Sequence, residues 1–230
     1  MEWNPTVLDL VNFLAVLILS VAFHEMAHAW LADRFGDGTP REHGRMTLNP
    51  FAHIHPILTV ALPAVFFWFS GGFLFMAMTP VNPRRMRNPR LHGMLTALGG
   101  PAASLLLGIA CFVALVAAVA IVRSMAGEGP VPPERAQMVG IVGMAFQLNF
   151  IGAFFNLVPV PPLDGSSILE YFVPRGLRPA WEALRANAWM VFALLVASGL
   201  LGKALRPVMA LTGDLAEIGV DLGRRIADGG

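Results

Sequence analysis

Apolar residues in this chain come in long unbroken runs rather than in alternation with polar ones. No Asp, Glu, Lys or Arg occurs between Arg45 and Arg84, between Arg90 and Arg123, or between Arg135 and Asp164. Each interval is longer than the roughly 20 residues a helix needs to cross a hydrocarbon core. Backbone in lipid must satisfy its own hydrogen bonds, so runs of this length predict helices. A first helix is expected from about Thr6 to Leu31, stopped near Gly36. Residues 37–56 are polar, with turn pairs Asp37-Gly38 and Asn49-Pro50, and read as loop with short strands.

Ile57 to Met78 is apolar, yet Gly71-Gly72 interrupts it. Arg34, Arg41 and Arg45 precede this segment and Arg84, Arg85, Arg87 and Arg90 follow it. Basic loops favour the cytoplasm, so both flanks point to one side. The reading favoured over a simple span is a re-entrant helix followed by an extended return over Phe73 to Val81. A further helix is expected over Leu91–Val122, with Gly99-Gly100-Pro101 near its start, and another over Ala136–Leu157. The latter ends in Asn156-Leu-Val-Pro-Val-Pro-Pro-Leu-Asp164-Gly165, whose three prolines exclude regular helix. Ala188 to Leu211 is a last candidate span, and a polar tail begins at Asp214. The expected fold is an all-α polytopic membrane protein. It has four to five transmembrane helices plus a re-entrant segment or membrane-embedded β-hairpin. One membrane domain covers 1–213 and a short tail 214–230.

Composition agrees with that pattern. Of 230 residues, 56% are hydrophobic and 13% charged, and mean hydropathy is +0.63. Soluble domains carry about 25% charged residues. The lone cysteine, Cys111, excludes an intrachain disulfide. A formal net charge of +1 without basic-aromatic interleaving gives no support for nucleic-acid binding. Met-Glu-Trp-Asn-Pro at the N-terminus lacks the basic start of a signal peptide, so the first apolar segment is expected to be retained.

Against this background His24-Glu25-Met26-Ala27-His28 stands out. Four residues apart on a helix, His24 and His28 share one face and can hold one zinc ion, with Glu25 beside them as a base. They follow the charge-free run Leu10–Phe23. Polar groups placed there are costly unless something compensates them, and a metal does. Arg34 lies ten residues beyond His24, so the pair sits about 15 Å below one surface. A hydrolytic zinc site takes three protein ligands and leaves one position open. Asp164 is the best remaining carboxylate for the third, although an Asp before a helix is as readily an N-cap. His53 and His55 compete for the same place, or serve with Asn49 as outer-sphere or gating groups.

Together these residues resemble the site-2 protease family of intramembrane zinc metalloproteases. The resemblance is carried by His24-Glu25-Met26-Ala27-His28, Gly99-Gly100-Pro101, Asn156-Leu157-Val158-Pro159 and Pro162-Leu163-Asp164-Gly165. Gly44-Arg45-Met46-Thr47-Leu48-Asn49-Pro50 and Pro80-Val81-Asn82-Pro83-Arg84-Arg85 match its short bacterial branch without a PDZ domain. The resemblance implies one zinc per chain held by His24, His28 and Asp164, Glu25 as general base, and Asn156 as a substrate or transition-state contact. It also implies a multi-pass protein of the bacterial cell (inner) membrane whose partners are the lipid bilayer and a transmembrane protein substrate. Three positions depart from the branch pattern. His55 stands where it usually has Asp, Ser104 where it usually has Asn, and the lysine expected near Ala77 is missing. The alternative function is a zinc-binding membrane protein without protease activity, either a metal carrier or a degenerate regulatory relative.

Overall fold

A computed structural model describes residues 4–70, 77–127 and 129–228. Helix α1 spans Val7–Arg34, α2 Thr39–Glu42, α3 Leu62–Ser70, α4 Pro89–Ala126 and α5 Pro133–Asn156. They are followed by α6 Asp164–Phe172, α7 Arg178–Ala186, α8 Ala188–Ala197 and α9 Leu200–Ala227. By length and composition α1, α4 and α5 can each cross a membrane. The α7–α8 pair, bent by 71°, is a fourth candidate if counted as one broken span.

Helices α1 and α4 begin with side-chain caps. Thr6 and Asp9 form a capping box on α1, with Asp9 N donating to Thr6 Oγ1 at 3.2 Å and Thr6 N donating to Asp9 Oδ2 at 2.9 Å. Asn88 caps α4 through its side chain, and Pro89 occupies the first helical turn, where a missing N–H does no harm. Such caps carry α4 past the apolar limits Leu91–Val122 at both ends. Gly36, at φ +106°, closes α1.

α4 is the central post, touching α1, α5, α6 and α9. The apolar core gathers Phe13, Leu17 and Val21 of α1 with Phe67 of α3, Leu148 and Phe155 of α5, Phe192 of α8 and Leu201 of α9. Phe13 and Phe67 stack with centroids 4.4 Å apart, which ties α3 to α1. A polar clasp holds the end of α1 to the chain entering α4. Asp37 is fully buried and accepts from Thr39 N at 3.0 Å and Asn82 N at 2.6 Å. Arg87 N donates to Phe35 O at 3.1 Å, and Phe35 stacks on His92. Outside the membrane-spanning helices, Arg85 pairs with Glu42 and holds its carboxyl below the usual range, chiefly through their hydrogen bonds.

Several expectations change. Residues 37–56 contain α2 and a 3-10 turn, Pro50–Ala52, and no strand. The extended return over Phe73–Val81 falls partly, at 73–76, on residues outside those described. Among the described residues 77–82 are irregular, and no strand occurs anywhere. The apolar helix Pro56–Phe69 is about 21 Å long at 1.5 Å per residue, short of a hydrocarbon core of about 30 Å. Ala188–Leu211 is not one helix, because Gly199 at φ +70° breaks it between α8 and α9. The supposed polar tail from Asp214 continues α9 as helix through Ala227.

The reason lies in small residues on one face of α9. Gly219 and Gly223 are buried against α4, where a Cβ on Gly223 would lie 2.7 Å from Val116 O and 2.7 Å from Val119 Cβ. Small residues four apart allow such close approach, while the charged residues of α9 stay exposed. Gly223→Leu is therefore expected to lower stability in detergent by about 1–3 kcal/mol through overpacking. Gly213→Ala, at a site with nothing within 4 Å, should leave the melting temperature unchanged or raise it. Thermal unfolding of the two variants checks the packing of α9.

Candidate metal centre

α1 carries His24, Glu25 and His28 into the interior, with fractional exposures of 2%, 3% and 6%. The imidazoles meet edge to face, and their Nε2 atoms are 3.1 Å apart. Asp164 reaches them from α6. Beyond Asn156 the prolines force tight turns, with Val160 N bonded to Val158 O and Leu163 N to Val160 O. Leu163 is buried in the core and anchors this corner. Asp164 Oδ2 then lies 3.1 Å from His24 Nε2 and 3.2 Å from His28 Nε2. The N-cap of α6 is Leu163, so the Asp164 carboxylate does not cap its helix and turns to the imidazoles instead.

The far nitrogens fix the rings. His28 Nδ1–H donates to Thr96 O at 2.7 Å, and His24 Nδ1 is hydrogen-bonded to Ser104 Oγ at 2.9 Å. Both partners lie on α4. Two Nε2 atoms and a carboxylate oxygen this close together call for a shared positive charge, either a proton on an imidazole or a metal ion among the three. A tetrahedral ion with bonds of about 2.0–2.2 Å spaces its ligands by about 3.3–3.6 Å, slightly more than these separations. Gly100 provides the space: a Cβ there would lie 2.2 Å from His28 Nε2 and 2.5 Å from His24 Nε2, inside the cradle itself. Two imidazoles and a carboxylate, with no thiolate, fit zinc with an open coordination position.

Glu25 stands beside this triangle. One ligand atom each from His24, Glu25 and His28 lies within 4.8 Å of the others. Glu25 Oε2 is buried with no hydrogen-bond partner among the described residues. A cavity of about 760 Å³ opens from these four residues and passes Asn156. Asn156 is 7% exposed and donates from Nδ2 to Gly152 O at 3.0 Å.

Asn49, His53 and His55 are not brought to this cavity. Asn49 Oδ1 accepts from Phe51 N at 3.1 Å, and His55 Nδ1 accepts from Leu58 N at 3.3 Å, both as caps of short helical turns. His53 Nε2–H donates to Thr47 O at 2.8 Å. Their polar setting in sequence reflects local capping. Thr96, Gly100 and Ser104 went unassigned to the centre, although their four-residue spacing on one helix was a usable signal.

Fold and site together define an all-α polytopic membrane protein with a buried His24–Glu25–His28 group that could hold a metal ion. The match to known proteins is more specific. A family model described as Peptidase family M50 matches residues 129–198. "Putative zinc metalloprotease YwhC" of Bacillus subtilis (strain 168) is 34% identical over 203 residues, 88% of this chain and 88% of that protein. "Putative zinc metalloprotease Rip2" of Mycolicibacterium smegmatis is 28% identical over 189 residues, 80% of this chain and 66% of that protein. The Mycobacterium tuberculosis (strain H37Rv) protein of the same description is 32% identical over 160 residues, 70% of this chain and 56% of that protein. No solved structure matches the chain. The chain belongs to peptidase family M50, the site-2 proteases.

Zinc analysis of purified variants tests the cradle. Gly100→Ala should retain less than about a tenth of the wild-type zinc, because its methyl group occupies the ion's place. Ser104→Ala should bind zinc about 10–100-fold more weakly, as loss of an outer hydrogen bond to a ligating histidine typically does.

Proposed function

We propose that the chain is a zinc metalloendopeptidase that hydrolyses peptide bonds of transmembrane or membrane-proximal substrates, as in regulated intramembrane proteolysis. His24, His28 and Asp164 hold one zinc per chain, and Glu25 is the general base. The protein resides, on this reading, as a multi-pass protein in the bacterial cell (inner) membrane, with one membrane domain. The observation that carries the proposal is Glu25 Oε2, buried and without a hydrogen-bond partner among the described residues, beside the His24 and His28 nitrogens.

Zinc, when bound, supplies Lewis acidity toward a peptide carbonyl and toward water. Glu25 takes the proton of the attacking water at its free oxygen and delivers it to the departing amine nitrogen. Ser104 and the Thr96 carbonyl keep both histidine rings turned so that their Nε2 lone pairs stay available. Asn156 has two amide protons and uses one on Gly152. The second is free to bind a substrate carbonyl or the charge that develops on it.

A helical substrate hides its carbonyls and must unwind before attack. Ala77, Met78, Thr79 and Val81 line the cavity in irregular conformation, and Thr79 Oγ1 lies 3.4 Å from the Glu25 carbonyl. Backbone of this kind next to the base can pair with an unwound segment by edge addition. A carrier or degenerate relative, by contrast, has no use for an unpartnered carboxylate beside the ligands.

Glu25→Gln is expected to lower cleavage of a single-span test substrate by at least about 100-fold while zinc content stays at one per chain. Cleavage at the wild-type rate would remove Glu25 from the mechanism. Zinc transport into vesicles without any proteolysis would support the carrier.

A further inference from the structure

The cavity does more than open the centre to water. Its outer rim is formed where the chain enters α4 and by α6 and α7, and it carries Arg84, Arg90, Arg178 and Arg185 with Glu170 and Glu182. These elements hold most of the basic residues that place this end on the cytoplasmic side. Arg185 is matched by Glu170 in an ion pair. Arg90 donates to Tyr171 O at 2.7 Å and leans over the Tyr171 ring. Arg84 and Arg178 have no carboxylate partner among the described residues, and Glu182 is the one rim acid left unpaired. Three arginines without a carboxylate therefore face one free acid, a local surplus of two positive charges.

A second observation points to an acceptor. Arg178, Trp181, Glu182 and Arg185 fall at i, i+3, i+4 and i+7 on α7, and all four line the cavity. Trp181 Nε1 is shielded from solvent, and its N–H has no acceptor among the described residues. The far face of α7 is Ala180, Ala183 and Leu184, an apolar side suited to the membrane interface. The polar side of this interfacial helix thus offers guanidinium groups and an indole donor to the space leading to Glu25.

We propose that this rim selects protein substrates carrying acidic residues on the cytoplasmic flank of their membrane-spanning segment, with Arg84, Arg178 and Trp181 as the recognising groups. The inference rests on the proteolytic reading above and names a substrate class for it. Its logic is one of exclusion as much as attraction. Most spanning helices carry Lys or Arg at their cytoplasmic end. A net-positive rim repels them and admits the minority with Asp or Glu, a discrimination that needs no tight contact. A substrate segment is favoured over a lipid headgroup because the rim is continuous with the catalytic cavity, which a resident lipid would block.

The test reads binding without hydrolysis, so its failure is separable from failure of the protease assignment. Dye-labelled single-span peptides, identical except for an acidic, neutral or basic cytoplasmic flank, are titrated with the full chain in neutral detergent micelles and followed by anisotropy. The acidic flank is expected to bind about tenfold more tightly than the basic one, with the gap closing at about 0.5 M salt. Arg84→Glu combined with Arg178→Glu should reverse the order with zinc content and melting temperature unchanged. Trp181→Phe should weaken the acidic peptide alone. Equal affinity for all three flanks, or an order unaffected by the double variant, overturns the proposal. So does loss of the preference on adding phosphatidylglycerol, which would make the rim a lipid site.

Discussion

Three ligand atoms from distant parts of the chain converge within 3.1–3.2 Å of one another: two imidazole nitrogens of α1 and one carboxylate oxygen at the head of α6. That convergence is the constraint around which the fold is built. Lone pairs at such a distance repel unless a proton or a metal ion is shared among them. On the reading proposed above, a metal ion offsets the cost of assembling them, and the helices supply the positions. α1 sets the four-residue spacing, the proline-broken turn after α5 sets the approach of Asp164, and α4 lends the Thr96 carbonyl and the Ser104 hydroxyl as outer hydrogen-bond partners.

α4 has a double duty that explains its composition. Near its N-terminal end it must come close enough to support the two histidines and yet leave room between them, which only Gly100 permits. Farther along it receives α9 through Gly219 and Gly223. The same helix is thus packed on both sides at backbone distance. In lipid, where apolar contact with a neighbour differs little from contact with acyl chains, such close packing holds helices together.

Much of this was legible in the residues alone, and the exceptions follow physical lines. The pair His24 and His28 could be read because helical spacing is a local property, and a charge-free run made their cost visible. Asp164 could be placed at the right end of a helix but not aimed. Where its carboxylate points depends on the chain turn through the prolines at 159, 161 and 162 and on the burial of Leu163 beside it. Residues 214–227 read as a polar tail because their charges are conspicuous in one dimension, whereas the packing of α9 depends on two glycines. Asn49, His53 and His55 were drawn toward the centre by their polarity, yet each is engaged by backbone within six residues of itself. Polarity near a site in sequence is weaker information than polarity that a helix face aims into it.

The most direct test of the converging ligands is the zinc content of the purified wild type measured beside Asp164→Ala. One zinc per chain in the wild type and nearly none in the variant is the result predicted. Equal zinc in both would contradict the account, since the α6 carboxylate would then have no part in holding the ion.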